Sequence, residues 1–198
     1  MRSVLRPAGL IAIVALTASC HDQACQGHSP VYLVVDSILV ANGGSSTATF
    51  TGAPLLSDVQ TKGSVFNDLG QVTLHIALKD LGSGTAPLVP TSNNQVTVTR
   101  YHVDYIRADG KNTPGVDVPY GFDGSITGTV PASGTVNIAF ELVRHDAKLE
   151  PPLVQLVSNL SVINVLAHIT FYGQDLAGNA ISVTGAVSVD FANFADPS

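Results

Sequence analysis

Polar and apolar residues alternate with a period of two along most of this chain, the pattern of strands that bury one face. Residues 32–40 are rich in Val, Ile and Leu and suit a strand. Residues 71–79 alternate cleanly, with Val72, Leu74, Ile76 and Leu78 on one side and Thr73, His75, Ala77 and Lys79 on the other. Residues 95–107 set Tyr101, Val103 and Tyr105 against Arg100, His102 and Asp104. Three more strands follow at 135–143 (Val136, Ile138, Phe140, Leu142), 164–172 (Val165, Ala167, Ile169, Phe171) and 180–191 (Ile181, Val183, Val187, Val189, Phe191). Shorter candidates lie at 46–50 and 125–130.

Between these runs the chain carries turn chemistry rather than helix caps. Asn42-Gly43-Gly44, Asp109-Gly110-Lys111-Asn112 and Asp175-Leu176-Ala177-Gly178-Asn179 each separate two strand candidates. Asn-Gly and Asp-Gly pairs supply the positive φ of tight hairpins. The best helical stretch is 153–160, one or two turns after Pro151-Pro152. Short strands spaced by turn signals predict an all-β fold, a single β-sandwich of about seven to nine antiparallel strands. The chain shows no internal repeat and no linker long enough to split it.

Composition narrows the class. Of 198 residues 45% are hydrophobic, which excludes a disordered chain. Nine Lys and Arg against 15 Asp and Glu make the net charge −6. So few cations are a poor basis for neutralising phosphates, and no nucleic-acid partner is expected. Both cysteines, Cys20 and Cys25, sit near the N-terminus, so neither staples the domain and its stability must come from packing.

The first 19 residues read as a signal segment: Arg2 and Arg6, an apolar run from Ala8, then Thr17-Ala18-Ser19 before Cys20. The apolar run is shorter than the roughly 20 residues that span a bilayer. The small residues followed by Cys20 resemble the lipobox of bacterial lipoproteins, with Thr17 where that family usually carries Leu. The resemblance implies cleavage after Ser19, diacylglycerol on the Cys20 thiol and a membrane-tethered mature chain in the cell envelope. Loss of Arg2 and Arg6 would take its charge from −6 to −8. The residue after the cysteine is His21 rather than the family's retention Asp, which in a Gram-negative cell implies the outer membrane. The alternative is an ordinary secretory signal cut near Ala18 or Ser19, leaving Cys20 free for a short disulfide with Cys25. The chain therefore divides into a signal (1–19), a polar, Gly/Pro-punctuated tether (20–30) and a domain (31–198).

The run Ile169-Thr-Phe-Tyr-Gly-Gln-Asp-Leu-Ala-Gly-Asn179 ahead of an alternating strand resembles the last hairpin of bacterial immunoglobulin-like domains. Tyr101-His-Val-Asp-Tyr105 before Asp109-Gly110 is similar to a central strand of fibronectin-III-like modules. These resemblances imply a fold class and no activity.

Candidate chemistry is sparse. The chain carries no Gly-x-Ser-x-Gly elbow, so any Ser/His/Asp set would have to be assembled from distant loops. His21, Cys25 and His28 are weak candidates for a soft metal, at a spacing that matches no structural zinc pattern; no metal or other cofactor is expected. Asp104, Asp109, Asn112, Asp117 and Asp123 could gather calcium, but turn chemistry alone accounts for these residue types. The longest irregular stretch, 110–128, carries Tyr120 and Phe122, aromatics that could stack on a ligand or enter a partner's groove. The expected function is a non-catalytic binding or accessory module, held to a membrane by lipid and serving an envelope protein partner. The alternatives are a small envelope enzyme with a loop-built site and a metal-handling lipoprotein using the N-terminal leader. Strand addition at Ile38, Leu39 and Val40 is a further route to a partner.

Overall fold

The computed structural model describes residues 28–44 and 47–194. It is mostly β, as the alternation predicts. Ten strands run in chain order: β1 (Val31–Ala41), β2 (Leu55–Asp58), β3 (Asp68–Leu78), β4 (Gly82–Ser83), β5 (Ala86–Pro87), β6 (Val96–Ile106), β7 (Phe122–Val130), β8 (Val136–Val143), β9 (Ile163–Asp175) and β10 (Ala180–Ala192). They form a three-stranded sheet, β1-β3-β8, a five-stranded sheet, β2-β10-β9-β6-β7, and the small β4-β5 hairpin.

Period-two patterning becomes packing directly. Val72 and Leu74 of β3, Phe140 of β8, Val98 and Tyr101 of β6, Phe171 of β9 and Val189 of β10 belong to one buried cluster shared by both sheets. Tyr101 meets Phe140 edge-on at 5.2 Å between ring centroids, and Phe140 meets Phe171 likewise at 5.3 Å. Such edge-to-face pairs each stabilise by about 0.5–1.5 kcal/mol beyond the area they bury. The Tyr105 hydroxyl ties the sheets together, donating to the Leu142 carbonyl at 2.7 Å. Burial pushes that phenol far above its ordinary range, so it stays a donor.

Four sequence expectations change. The sheets are not wholly antiparallel, because β2 pairs with β10 in parallel. The stretch from 153 forms a 3-10 turn, Leu153–Val157, preceded by one short helix, α1 (His145–Leu149), that the periodicity did not announce. Residues 47–50 form no strand, although Thr51 exchanges two 2.8 Å backbone hydrogen bonds with Val40. Thr51 thereby covers the end of β1 at Val40, one of the positions expected to accept an added strand.

The registers define two poles. At the entry pole, where the described chain comes into β1, lie the end of β3, the β4-β5 hairpin, the start of β6, the end of β7 and the turn joining β9 to β10. At the opposite, far pole lie the ends of β1, β2, β6, β8 and β10, the loop 107–121 and α1.

Candidate functional site

The loop 107–121 leaves β6 at the far pole and returns into β7. Its acids are spent on shaping it. Asp109 receives the Arg107 Nε at 3.1 Å and the Lys111 amide at 3.1 Å, and the Arg107 guanidinium and that amide hold its carboxyl below the usual range. Asn112 accepts from the Arg107 amide at 2.6 Å, and Asp117 from the Thr113 amide at 3.1 Å. These are self-bonded turns, the bland alternative to a cation site. Gly115 takes φ of +75°, and the Tyr120 ring lies so close above it that a side chain there would collide with the phenol. Tyr120 is thus held by backbone while remaining 52% exposed, beside an exposed Val116.

Phe122, the second aromatic expected at this surface, is only 7% exposed. It opens β7 rather than sitting in the loop. Its ring meets Tyr101 edge-on at 6.1 Å and lies under the Arg144 guanidinium at 4.6 Å. It packs the core, and Tyr120 alone of the pair faces solvent.

The loop abuts the outer face of the five-stranded sheet. Gly121 approaches so closely that an ideal Cβ would stand 2.7 Å from Asp104 Oδ1. On that face His102 is clamped by two carboxylates, Nε2 to Asp104 Oδ2 at 3.2 Å and Nδ1 to Asp123 Oδ1 at 3.0 Å. Partial desolvation pulls its pKa down, but the two carboxylates outweigh it and the net shift is upward. With both ring nitrogens engaged, this imidazole is held toward the cationic form and is a poor general base. Arg100 lies 3.8 Å over the Tyr172 ring, and Thr170 and Thr184 bond across β9 and β10 at 2.9 Å. The face is a polar surface of mutually braced side chains.

A third feature is a cleft of about 340 Å³ at the far pole, walled by Asn42, Gly43, Leu56, Phe66 and Phe194 and reaching Lys148. The Lys148 ammonium is almost wholly buried, 2.8 Å from Asp68 Oδ2 and 2.9 Å from the Asp58 carbonyl. Asp68 also receives the Ser57 hydroxyl at 2.6 Å and the Gly43 amide at 2.8 Å. Both carboxylate oxygens are engaged and the ammonium has two acceptors, so the cluster closes this end of the core rather than offering a free reactive group.

Cys20, His21 and Cys25 lie outside the described residues, and His28 is exposed at their edge. Among the described residues no group of three His, Cys, Asp or Glu side chains is placed to hold a metal ion, and no helix is long and apolar enough to cross a membrane. Alternation along 95–107 sets His102 opposite the apolar face of its strand but does not identify its partners. Asp104, two residues along the same strand, was a visible signal; Asp123 required the β6-β7 register. No family model, curated protein or solved structure matches the chain.

Proposed function

We propose that this chain is a lipid-anchored envelope protein whose domain is an immunoglobulin-like β-sandwich acting as a non-catalytic binding or accessory module. The sandwich reading is supported by the strand order. Taking β1, β3, β6, β7, β8, β9 and β10 as A, B, C, C′, E, F and G sets A-B-E against C′-C-F-G, the arrangement expected of fibronectin-III-like domains.

The observation that carries the functional reading is the polarity of the molecule. The chain enters β1 eleven residues after Cys20, while Tyr120 and Val116 stand exposed at the opposite pole. An anchor at Cys20 would turn the loop 107–121 and the adjoining His102 face outward, where an envelope protein could dock. Mass analysis of the mature N-terminal peptide tests the anchor, with diacylglycerol on Cys20 expected and a chain cut before Cys20 counting against it. A photo-crosslinker at Tyr120 should then join the same envelope protein in wild-type membranes and lose it in a His102→Ala/Tyr172→Ala variant. Crosslinking that ignores those substitutions rejects this face.

A further inference from the structure

We infer that the entry pole is a membrane-contact surface, which seats Tyr32, Leu81, Leu88, Val89 and Leu176 at the headgroup boundary of the phospholipid bilayer. The inference rests on the proposed anchor at Cys20.

Three observations point to it. First, the apolar side chains are solvent-facing without packing need: these five are exposed between 54% at Leu88 and 72% at Val89, and they project from separate elements that meet at one pole. Leu81, Leu88 and Val89 belong to the β4-β5 hairpin and its flanks, Leu176 to the β9-β10 turn and Tyr32 to the start of β1. Second, charge is withdrawn from this pole. The sequence has no Asp, Glu, Lys or Arg from Leu81 to Thr99, from Gly124 to Phe140, or from Leu176 to Val189. Those stretches supply the hairpin, the turn from β7 into β8 and the end of the last hairpin. Asp175 is buried, its carboxylate bonded to the Ala177 and Asn179 amides at 2.9 Å each. Asp80 is turned onto the Gly82 amide at 2.8 Å, and Lys79 lies 5.2 Å over the Tyr32 ring. A surface this sparse in charge enters the interfacial region with few ions to desolvate, and Tyr and Lys suit its polar margin. Third, reach is short. His28 is eight positions after Cys20, and a chain of that length spans no more than about 30 Å fully extended. An anchored Cys20 therefore keeps this pole, and not the charged far pole, next to the bilayer.

The chain contains no Trp, so a single introduced indole reports its surroundings without background. Full-length, host-processed chains carrying Leu88→Trp, Leu176→Trp or, at the far pole, Val116→Trp would be reconstituted into phosphatidylethanolamine–phosphatidylglycerol vesicles with lipids brominated along their acyl chains. The N-terminal peptide of each preparation would be weighed in parallel. The two entry-pole indoles are expected to lose roughly half their emission to the bromines while Val116→Trp loses none, as shallow interfacial burial requires. Adding Leu81→Asp and Val89→Asp should restore the Leu176→Trp emission. Diacylated Cys20 with unquenched entry-pole indoles overturns this inference and leaves the anchor standing. A blue-shifted but unquenched indole also overturns it, by showing that protein rather than lipid covers the pole. An unmodified Cys20 with chains that leave the vesicles rejects the anchor and this inference together. An unmodified Cys20 with quenched entry-pole indoles rejects the anchor alone and supports the contact.

Discussion

The two poles of this domain are built on opposite principles. The entry pole is closed by short turns and a two-residue-per-strand hairpin, with its few acids folded onto backbone amides. The far pole holds a buried ion pair, a cleft, a helix and the longest loop, with Arg107, Asp109, Lys111 and Asp117 at its surface. The sheets between them are continuous, so the difference is a property of loops grafted on one scaffold. One end is shaped by leaving charge out, the other by placing charge and satisfying it.

The strongest way to break the comparison is to leave the far-pole ion pair half made. Asp68→Ala strands the Lys148 ammonium among apolar neighbours and should lower stability by about 3–5 kcal/mol, read from chemical denaturation. Replacing both partners, Asp68→Leu with Lys148→Met, should recover most of that loss; equal destabilisation by single and double variants would show that the charges themselves hold the pole. Next comes the tie between the sheets. Tyr105→Phe removes the hydroxyl that serves the Leu142 carbonyl and should cost about 1–3 kcal/mol, since the carbonyl is left buried and unpaired.

At the entry pole the corresponding effect is smaller and depends on acid. Burial alone would raise the Asp175 carboxyl, but bonds from Asn179, Ser29 and Ala177 hold it below its ordinary value. Its contribution is therefore present above the unfolded carboxylate pKa and lost as pH falls through the folded one. Asp175→Ala should cost about 1–2 kcal/mol at neutral pH and lose most of its effect in strong acid, which a pH series of thermal melts would check. The smallest effect belongs to His102. Its pKa is raised, so its stabilisation is complete below the unfolded value near 6.5 and fades as pH rises through the folded one. Because the ring is partly exposed and screened, His102→Gln should flatten this pH dependence by only about a few tenths of a kcal/mol. A His102 resonance that titrates at or below the ordinary value in NMR would show that the carboxylate clamp does not form.

Legibility followed range. Six of the seven long strands read clearly in the sequence because alternation is local and each buries one face. Strand β2 does not: four residues, Leu55–Asp58, carry too little pattern, and their parallel pairing with β10 spans most of the chain. Phe122 reads as a loop aromatic because Pro119 and Gly121 precede it and Gly124 and Gly128 thin the strand it opens. Lys148 and Asp68, eighty positions apart, carry no joint signal at all; their partnership exists only once β3 and α1 are stacked at one end. Of the candidate site, Tyr120 was found by its residue type and setting, whereas the His102 clamp needed one cross-strand register.

The course of β1 has a mechanical corollary. It begins at the entry pole and runs along β3 in antiparallel register from Val31 opposite Leu78 to Ala41 opposite Leu69. A pull applied between the start of β1 and the far pole acts along this strand, not across it. The ladder is then loaded in shear, with its backbone bonds sharing the force at once instead of parting one after another. A tether fixed at the other end of β1 would peel the same strand away bond by bond.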